Sequence, residues 1–313
     1  MSRTRALTTT AALAALALTG CGTGQNAAPE GETRTVNTAM GKVRVPVAPK
    51  RVVVLDTAEL DSAITLGVKP VGATNAGTRS GFLGYLSKDQ VSGIKNVGTI
   101  GSPNLEAVNE LKPDLILSNK ARDAKNYTSL KAIAPTVLTE TTGYPWKENF
   151  RVHAAALGKK QAAAKAVAAY RAHARKVTDA LGGPDRAKRT EVNIVRFVEG
   201  ADTRVYGEKS YIATVLKDVG LGRPAVVHRA TDGFSYDVSP ERIDDADADA
   251  LFYATYGDPK KAKETQILRS GLWKRMAAVR NERSFRIDDE TWIQGIGYTA
   301  ADTILDELQQ RLG

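Results

Sequence analysis

The chain has 313 residues, 44 Lys and Arg against 35 Asp and Glu, a formal charge of +9 and a single cysteine. That length holds one large or two medium domains with full cores. One thiol leaves no disulfide and no cysteine-built metal site, and nothing after the N-terminus stays apolar for the ~18 residues a membrane span needs. The positive surplus suits an anionic lipid surface or an anionic ligand, and the export signal described next argues against nucleic acid.

Arg3 and Arg5 precede a short apolar run, Ala11 to Leu18, and the small residues Thr19 and Gly20 end it at the lone Cys21. This is the layout of a secretory signal over residues 1–20, too short in its apolar part to span a bilayer. The segment LTGC resembles the lipobox of bacterial lipoproteins, which implies cleavage before Cys21 and a diacylglycerol on its thiol. Two or more acyl chains hold a protein stably at a membrane, at ~0.8 kcal/mol per buried methylene. Residues 21–40 start with small, polar, aperiodic residues and are expected to form a flexible, lipid-anchored tether.

From there TVNTAMGKVRVPVAP predicts a short hairpin, RVVVLD a buried strand, AELDSAITLGVKP a helix stopped at Gly67 and Pro70, and VGAT a second strand. Strand, helix and strand at close intervals predict a parallel sheet with crossovers, an N-terminal lobe over 41–146. A repeat then emerges. SPNLEAVNELKPDLILSN begins at Ser102 and SPERIDDADADALFYAT at Ser239. Each Ser-Pro reads as a helix cap followed by the residue favoured at the first helical position. Each is followed by a glutamate (Glu106, Glu241) and, eight residues later, by an aspartate that introduces a strand (Asp114, Asp249). VNIVRF and DVGLGRP echo RVVVLD and LGVKP, so a second lobe of the same design is expected over 184–313. Between the lobes, in a linker over 147–183, Ala163, Val167, Tyr170, Ala174, Val177 and Leu181 hold one face of a helix running from Lys160 to Leu181. At 1.5 Å per residue that rod is about 33 Å long, closed by Gly182-Gly183. The fold class expected is α/β: two Rossmann-like lobes with parallel-rich sheets, joined by one long backbone helix that resists hinge bending.

Ligands of open α/β lobes bind beyond the carboxyl ends of the strands. By that rule the candidates are Thr57, Asn119 and Lys120 in the first lobe and Arg196 and Tyr206 in the second. Trp146 stands before the backbone helix, Trp292 in the last loop and Tyr236 before the second Ser-Pro. Arg196 is the leading candidate, since a guanidinium inside a β-branched strand is costly unless its charge meets a partner. Trp273 in SGLWKRM reads as ordinary helix packing. GIGYTA at 295–300 matches a dinucleotide fingerprint but leaves no room for a second strand, and it reads as the loop into a C-terminal helix. DADAD at 245–249 lacks the glycine and final glutamate of a calcium loop. His153, His173 and His228 show no ligand spacing, and no G-x-S-x-G elbow supports a hydrolase, the exported-enzyme alternative.

The segments VPVAPKRVVVLD, LGVKPVGAT, VGTIGSPNLEAVNELKPDLIL, WKENFRVHAAALGKK and VYGEKSYIATVLKDVGLGRP, in that order, resemble the iron-siderophore and cobalamin binding lipoproteins of ABC importers. The resemblance covers everything after the tether. It implies a periplasmic-binding-protein fold with a helical backbone, no enzymatic activity, no cofactor, and an extracytoplasmic monomer anchored to the cell membrane through Cys21. It implies a ligand held between the lobes, here an Fe(III)-siderophore, and docking to an ABC permease dimer through Glu106 and Glu241. Aromatic walls suit the apolar periphery of such a chelate, and an arginine suits its iron-bound oxygens. Thr99-Ile100 stand where the ferric-hydroxamate prototype carries an arginine. A hydroxamate such as a ferrioxamine is the leading expectation over mixed or citrate-type siderophores, with Arg196, Arg204, Lys120 and Arg79 as the basic residues available to a triply negative catecholate complex, and haem or cobalamin as the alternative ligands of the same fold.

Overall fold

The computed structural model describes residues 31–76 and 81–313. Cys21, the signal and most of the expected tether lie outside the described residues, as does Arg79. The tether expected to run to residue 40 is shorter. Strand β1 (Thr33–Thr38) already pairs antiparallel with β2 (Gly41–Pro46), because alternating Val36 and Val45 bury on one side of the hairpin.

The first lobe is a six-stranded sheet of β3 (Val52–Val54), β4 (Gly72–Asn75), β5 (Lys95–Thr99), β6 (Ser102–Pro103), β7 (Leu115–Asn119) and β8 (Thr136–Thr139), in the order β6-β5-β4-β3-β7-β8. All neighbours are parallel except the edge pair β5–β6. The second lobe is a five-stranded sheet of β9 (Val192–Val198), β10 (Thr203–Tyr206), β11 (Ser235–Val238), β12 (Ala250–Tyr256) and β13 (Ser284–Arg286), in the order β11-β10-β9-β12-β13. Here β9, β12 and β13 are parallel, and β10 reverses direction to join the edge strand β11.

Period-two alternation decides which side chain meets which layer. Val52 and Val54 face one core while Val53 and Leu55 face another, and the same split separates Leu115 and Leu117 from Ile116. In the second lobe Ile194, Phe252 and Ala254 join the first core, whereas Val195, Phe197 and Leu251 pack outward with Trp273. The first core therefore runs through both lobes. It also takes in the backbone helix Lys160–Ala180, through Ala163, Tyr170, Ala174 and Val177, and the C-terminal helix Tyr298–Leu312.

The internal repeat is real, with its caps in different places. Ser102-Pro103 is strand β6, and the cap of the following helix Leu105–Glu110 is Asn104, whose side chain accepts from the Ala107 amide. The Ser-Pro cap expected there is thus displaced by two residues. The reason is that Gly98 and Thr99 pair with Pro103 and Ser102 and draw them into the sheet. Ser239 does precede a 3₁₀ helix, Pro240–Ala246, with Pro240 in its first turn. The two aspartates act alike. Asp114 accepts from the amides of Lys50 and Arg51, just before β3, at 2.7 and 2.9 Å. Asp249 accepts from the amide of Glu191, just before β9, at 2.9 Å. Each carboxylate pins the start of the neighbouring parallel strand. Asp114→Ala and Asp249→Ala should each cost about 1 kcal/mol, a fall of roughly 2–4 °C in Tm, read by thermal unfolding. Unchanged melting would mean that the strands hold register without them.

Candidate functional site

The carboxyl ends of both sheets face a cleft of about 790 Å³. From the first lobe it is lined by Asp56 and Thr57 after β3, Ala76 after β4, Ile100 after β5, Arg122 after β7 and Thr141–Pro145 after β8. From the second come Arg196, Arg204, Tyr206, Lys209–Ile212, Phe234, Tyr256 and the segment Trp292–Ile296. Trp292 belongs to a π-helical turn, Glu290–Gln294, a form that concentrates at functional sites.

On the first-lobe side, Asp56 caps the helix Thr57–Thr65 by accepting from the Thr57 amide at 2.7 Å. Its other oxygen takes Arg122 Nε at 3.0 Å and Asn119 Nδ2 at 3.1 Å. Burial pushes the Asp56 carboxyl above its usual range and the nearby Glu59 adds to this, while Arg122 opposes them. Asp56 thus orients Arg122, whose side chain is 41% exposed at the cleft. Glu59 and His153 lie behind this layer with no exposure, and His153 Nδ1 meets Ser62 Oγ at 2.9 Å.

On the second-lobe side, Arg196 forms a two-pronged pair with Asp289, Nε to Oδ1 and Nη2 to Oδ2, both 2.6 Å. Gln294 also donates to Asp289, and the guanidinium lies 4.7 Å over the Tyr256 ring. Burial is the largest influence and works against the charge of Arg196, but Asp289 and Tyr206 together outweigh it through hydrogen bonds and charge, holding the guanidinium above its ordinary pKa. Its charge is therefore matched from within the protein. Arg204 is different: its nearest carboxylate, Asp237, is 3.9 Å away and largely exposed. Lys209 is exposed and makes no ion pair among the described residues. Tyr206 stands edge-on to Phe234 at 5.5 Å, and Trp292 stacks on Phe252 at 4.8 Å. Of the four large apolar side chains exposed among the described residues, two, Tyr144 and Phe234, are at this cleft. Exposed aromatics grouped at a concavity mark a contact surface.

Among the residues singled out from sequence, Arg196, Tyr206, Thr57 and Arg204 meet here, and Trp292 lies behind the wall with no exposed surface, its ring in the apolar core. Trp146 does not. It is core, with Nε1 donating to Thr214 Oγ1 at 2.7 Å and its ring packed against Tyr170, Tyr211 and Tyr298. Tyr236 pairs with Val205, one position out of step with Arg204 and Tyr206, so alternation turns it to the opposite face of the sheet and the outer core. Asn119 is buried one layer behind the cleft, where its carbonyl caps the turn at Lys120–Asp123 and its amide holds Asp56. Lys120 pairs with Glu140 at the surface. Missed were Asp56, Arg122, Lys209, Tyr144, Phe234, Tyr256 and Gln294. Arg122 was within reach, because it lies three residues past the carboxyl end of β7; the others sit on aperiodic loops or strand tips and carry no pattern.

Glu106 and Glu241 are both exposed. Each lies in the first turn after an antiparallel edge strand, β6 or β11. Glu241 is held below the usual carboxylate range by its own backbone amide and by Ser239.

This architecture matches a model of the periplasmic binding protein family over residues 52–291, and the chain belongs to that family. It is 36% identical to the probable siderophore-binding lipoprotein YfiY of Bacillus subtilis, over 95% of this chain and 94% of that one. Identity to the Fe(3+)-citrate-binding protein YfmC of the same organism is 29%, over 96% and 94%. The structure of Staphylococcus aureus SirA complexed with staphyloferrin B superposes with a TM-score of 0.81 at 31% identity, covering 90% of this chain and 98% of that one. The chain is therefore a binding protein rather than an enzyme.

Removing one partner of a buried, two-pronged pair strands the other charge. Arg196→Ala should therefore cost about 3 kcal/mol of unfolding free energy. Arg196→Met combined with Asp289→Leu should recover most of that loss, measured by urea denaturation. A single variant as stable as the parent would show that Asp289 needs no counter-charge.

Proposed function

We propose that the protein is an extracytoplasmic solute-binding lipoprotein that captures a ferric siderophore between its lobes and delivers it to an ABC permease for iron uptake. The observation that carries this is the cleft itself: aromatic walls for the ligand periphery and cations above the carboxyl ends of two α/β sheets. The similarity to siderophore and ferric-citrate binding relatives supports the same reading. Cys21 carries the lipid that keeps the chain at the membrane, and it acts there as a monomer.

The charge pattern bears on the chelate. Arg196 and Arg122 are matched closely by Asp289 and Asp56, while Arg204 has only the exposed Asp237 at 3.9 Å and Lys209 has no ion pair among the described residues. A neutral or cationic tris-hydroxamate such as a ferrioxamine, the class favoured from sequence, offers those two cations acceptor oxygens but no net negative charge. A chelate that ligates iron through a hydroxycarboxylate, with or without hydroxamate arms, brings the negative charge they require. The anionic hydroxycarboxylate class is therefore preferred.

Glu106 and Glu241 are the docking residues, one per lobe, pairing with arginines of the permease. Exposed charges of this kind steer encounter and fix orientation more than they add affinity.

Two measurements test these assignments. Titrating tryptophan fluorescence with ferric citrate, a ferric citrate bis-hydroxamate, ferrioxamine B, a ferric tris-catecholate, haem and cobalamin should give saturable quenching with the first two. Arg204→Ala should weaken them about tenfold or more, as expected for a lost hydrogen bond to a charged group, and leave any ferrioxamine binding unchanged. Saturation by none of the iron chelates would remove the siderophore reading. For docking, Glu106→Ala/Glu241→Ala should lower iron uptake by cells with chelate affinity unchanged, and undiminished uptake would remove that role.

A further inference from the structure

One buried carboxylate ties the first lobe to the C-terminal helix and has no part in the cleft's charge pairs. Asp61 lies in the middle of the helix Thr57–Thr65, in the first lobe, with no exposed surface. It accepts from the amides of Thr299 at 3.1 Å and Ala300 at 3.0 Å, in the first turn of the C-terminal helix. Tyr85 and Thr65 donate their hydroxyls to it at 3.0 and 3.1 Å. Four donors surround the group, which specifies an ionised carboxylate at the positive end of a 15-residue helix. Burial pushes its carboxyl above the ordinary range, and the same donors act against that. Gly297, just before the helix, leaves room for it: a Cβ there would lie 2.1 Å from Asp61 Oδ1.

The ends of this contact are the walls of the cleft. Asp56 and Thr57 open the helix that carries Asp61. Trp292–Ile296 lead directly into Gly297 and the helix that Asp61 caps. Around it, Thr65 Oγ1 meets Thr299 Oγ1 at 2.8 Å, Tyr211 donates to the Gly297 carbonyl at 2.8 Å, and the Gly84 amide donates to Glu290 Oε2 at 2.7 Å.

We infer that Asp61 is a positioning residue for ligand capture: by capping, from the first-lobe helix, the C-terminal helix that follows Trp292–Ile296, it fixes the width of the cleft between Asp56–Thr57 and Trp292–Ile296. It touches no ligand. Its effect is preorganisation, so that binding a chelate need not order the two walls, and such effects are felt mainly in the rate of release. The inference rests on the siderophore reading only for the identity of what is held.

The test uses the full chain with Cys21→Ser and spin labels at Glu110→Cys and Lys274→Cys, one exposed site in each lobe. Without ligand, the parent should give a narrow interlobe distance distribution, Asp61→Asn a broadened one, and Tyr85→Phe an intermediate width. Ferric citrate should narrow the Asp61→Asn distribution again, with an affinity about tenfold weaker than the parent's. A merely structural carboxylate would lower the melting temperature and leave the width unchanged, and that result in Asp61→Asn overturns the assignment. If Asp61→Asn does not fold, a parental width in Tyr85→Phe overturns it. If ferric citrate binds neither chain, the ligand-class reading fails while the ligand-free widths still decide the latch.

Discussion

A single apolar core runs through both halves of this molecule, and the function follows from that continuity. At its centre Tyr298 packs against Trp146, Phe150 and Tyr170, with ring centroids 4.6, 4.7 and 5.2 Å apart. Those four rings come from the helix Trp146–Leu157, the backbone helix and the C-terminal helix. Edge-to-face packing of aromatic pairs adds about 0.5–1.5 kcal/mol per pair beyond area burial, and it fixes orientation as well. Lobes sharing such a core do not swing apart as lobes on extended linkers do, so their facing ends form a cleft that exists before ligand arrives.

Over that core the protein handles charge in two ways. Three of its buried charges are matched from within: Arg196 by Asp289, Asp56 by Arg122, Asp61 by helix amides. At the cleft, Arg204 has only the exposed Asp237 at 3.9 Å and Lys209 has no ion pair among the described residues, so these two are the cations the proposed ligand would meet. The counter-ion Asp289 holds Arg196 in place and meets its charge from within the protein. The same economy explains Trp146. Its indole looks available beside the backbone helix, yet its N–H is satisfied by Thr214 and its ring is used in the core.

Features that depend on neighbours along the chain were legible without the fold. Val52–Val54 had to be a buried strand, and the spacing from Ala163 to Leu181 had to bury one helical face, because period and side-chain size decide both locally. Asp114 and Asp249 were recognisable as a repeated device from spacing alone, and Arg196 stood out because a charge in an apolar strand demands a partner. Tertiary structure decided everything that depends on which surfaces meet. Register alone turned Tyr236 away from the cleft while keeping Arg204 and Tyr206 in it. Pairing with β5 drew Ser102-Pro103 into the sheet and moved the helix cap to Asn104. Tyr144 and Phe234 became cleft walls, and Asp61 a tie to the C-terminal helix, through contacts with residues far away in the chain, and no local pattern encodes a contact of that kind.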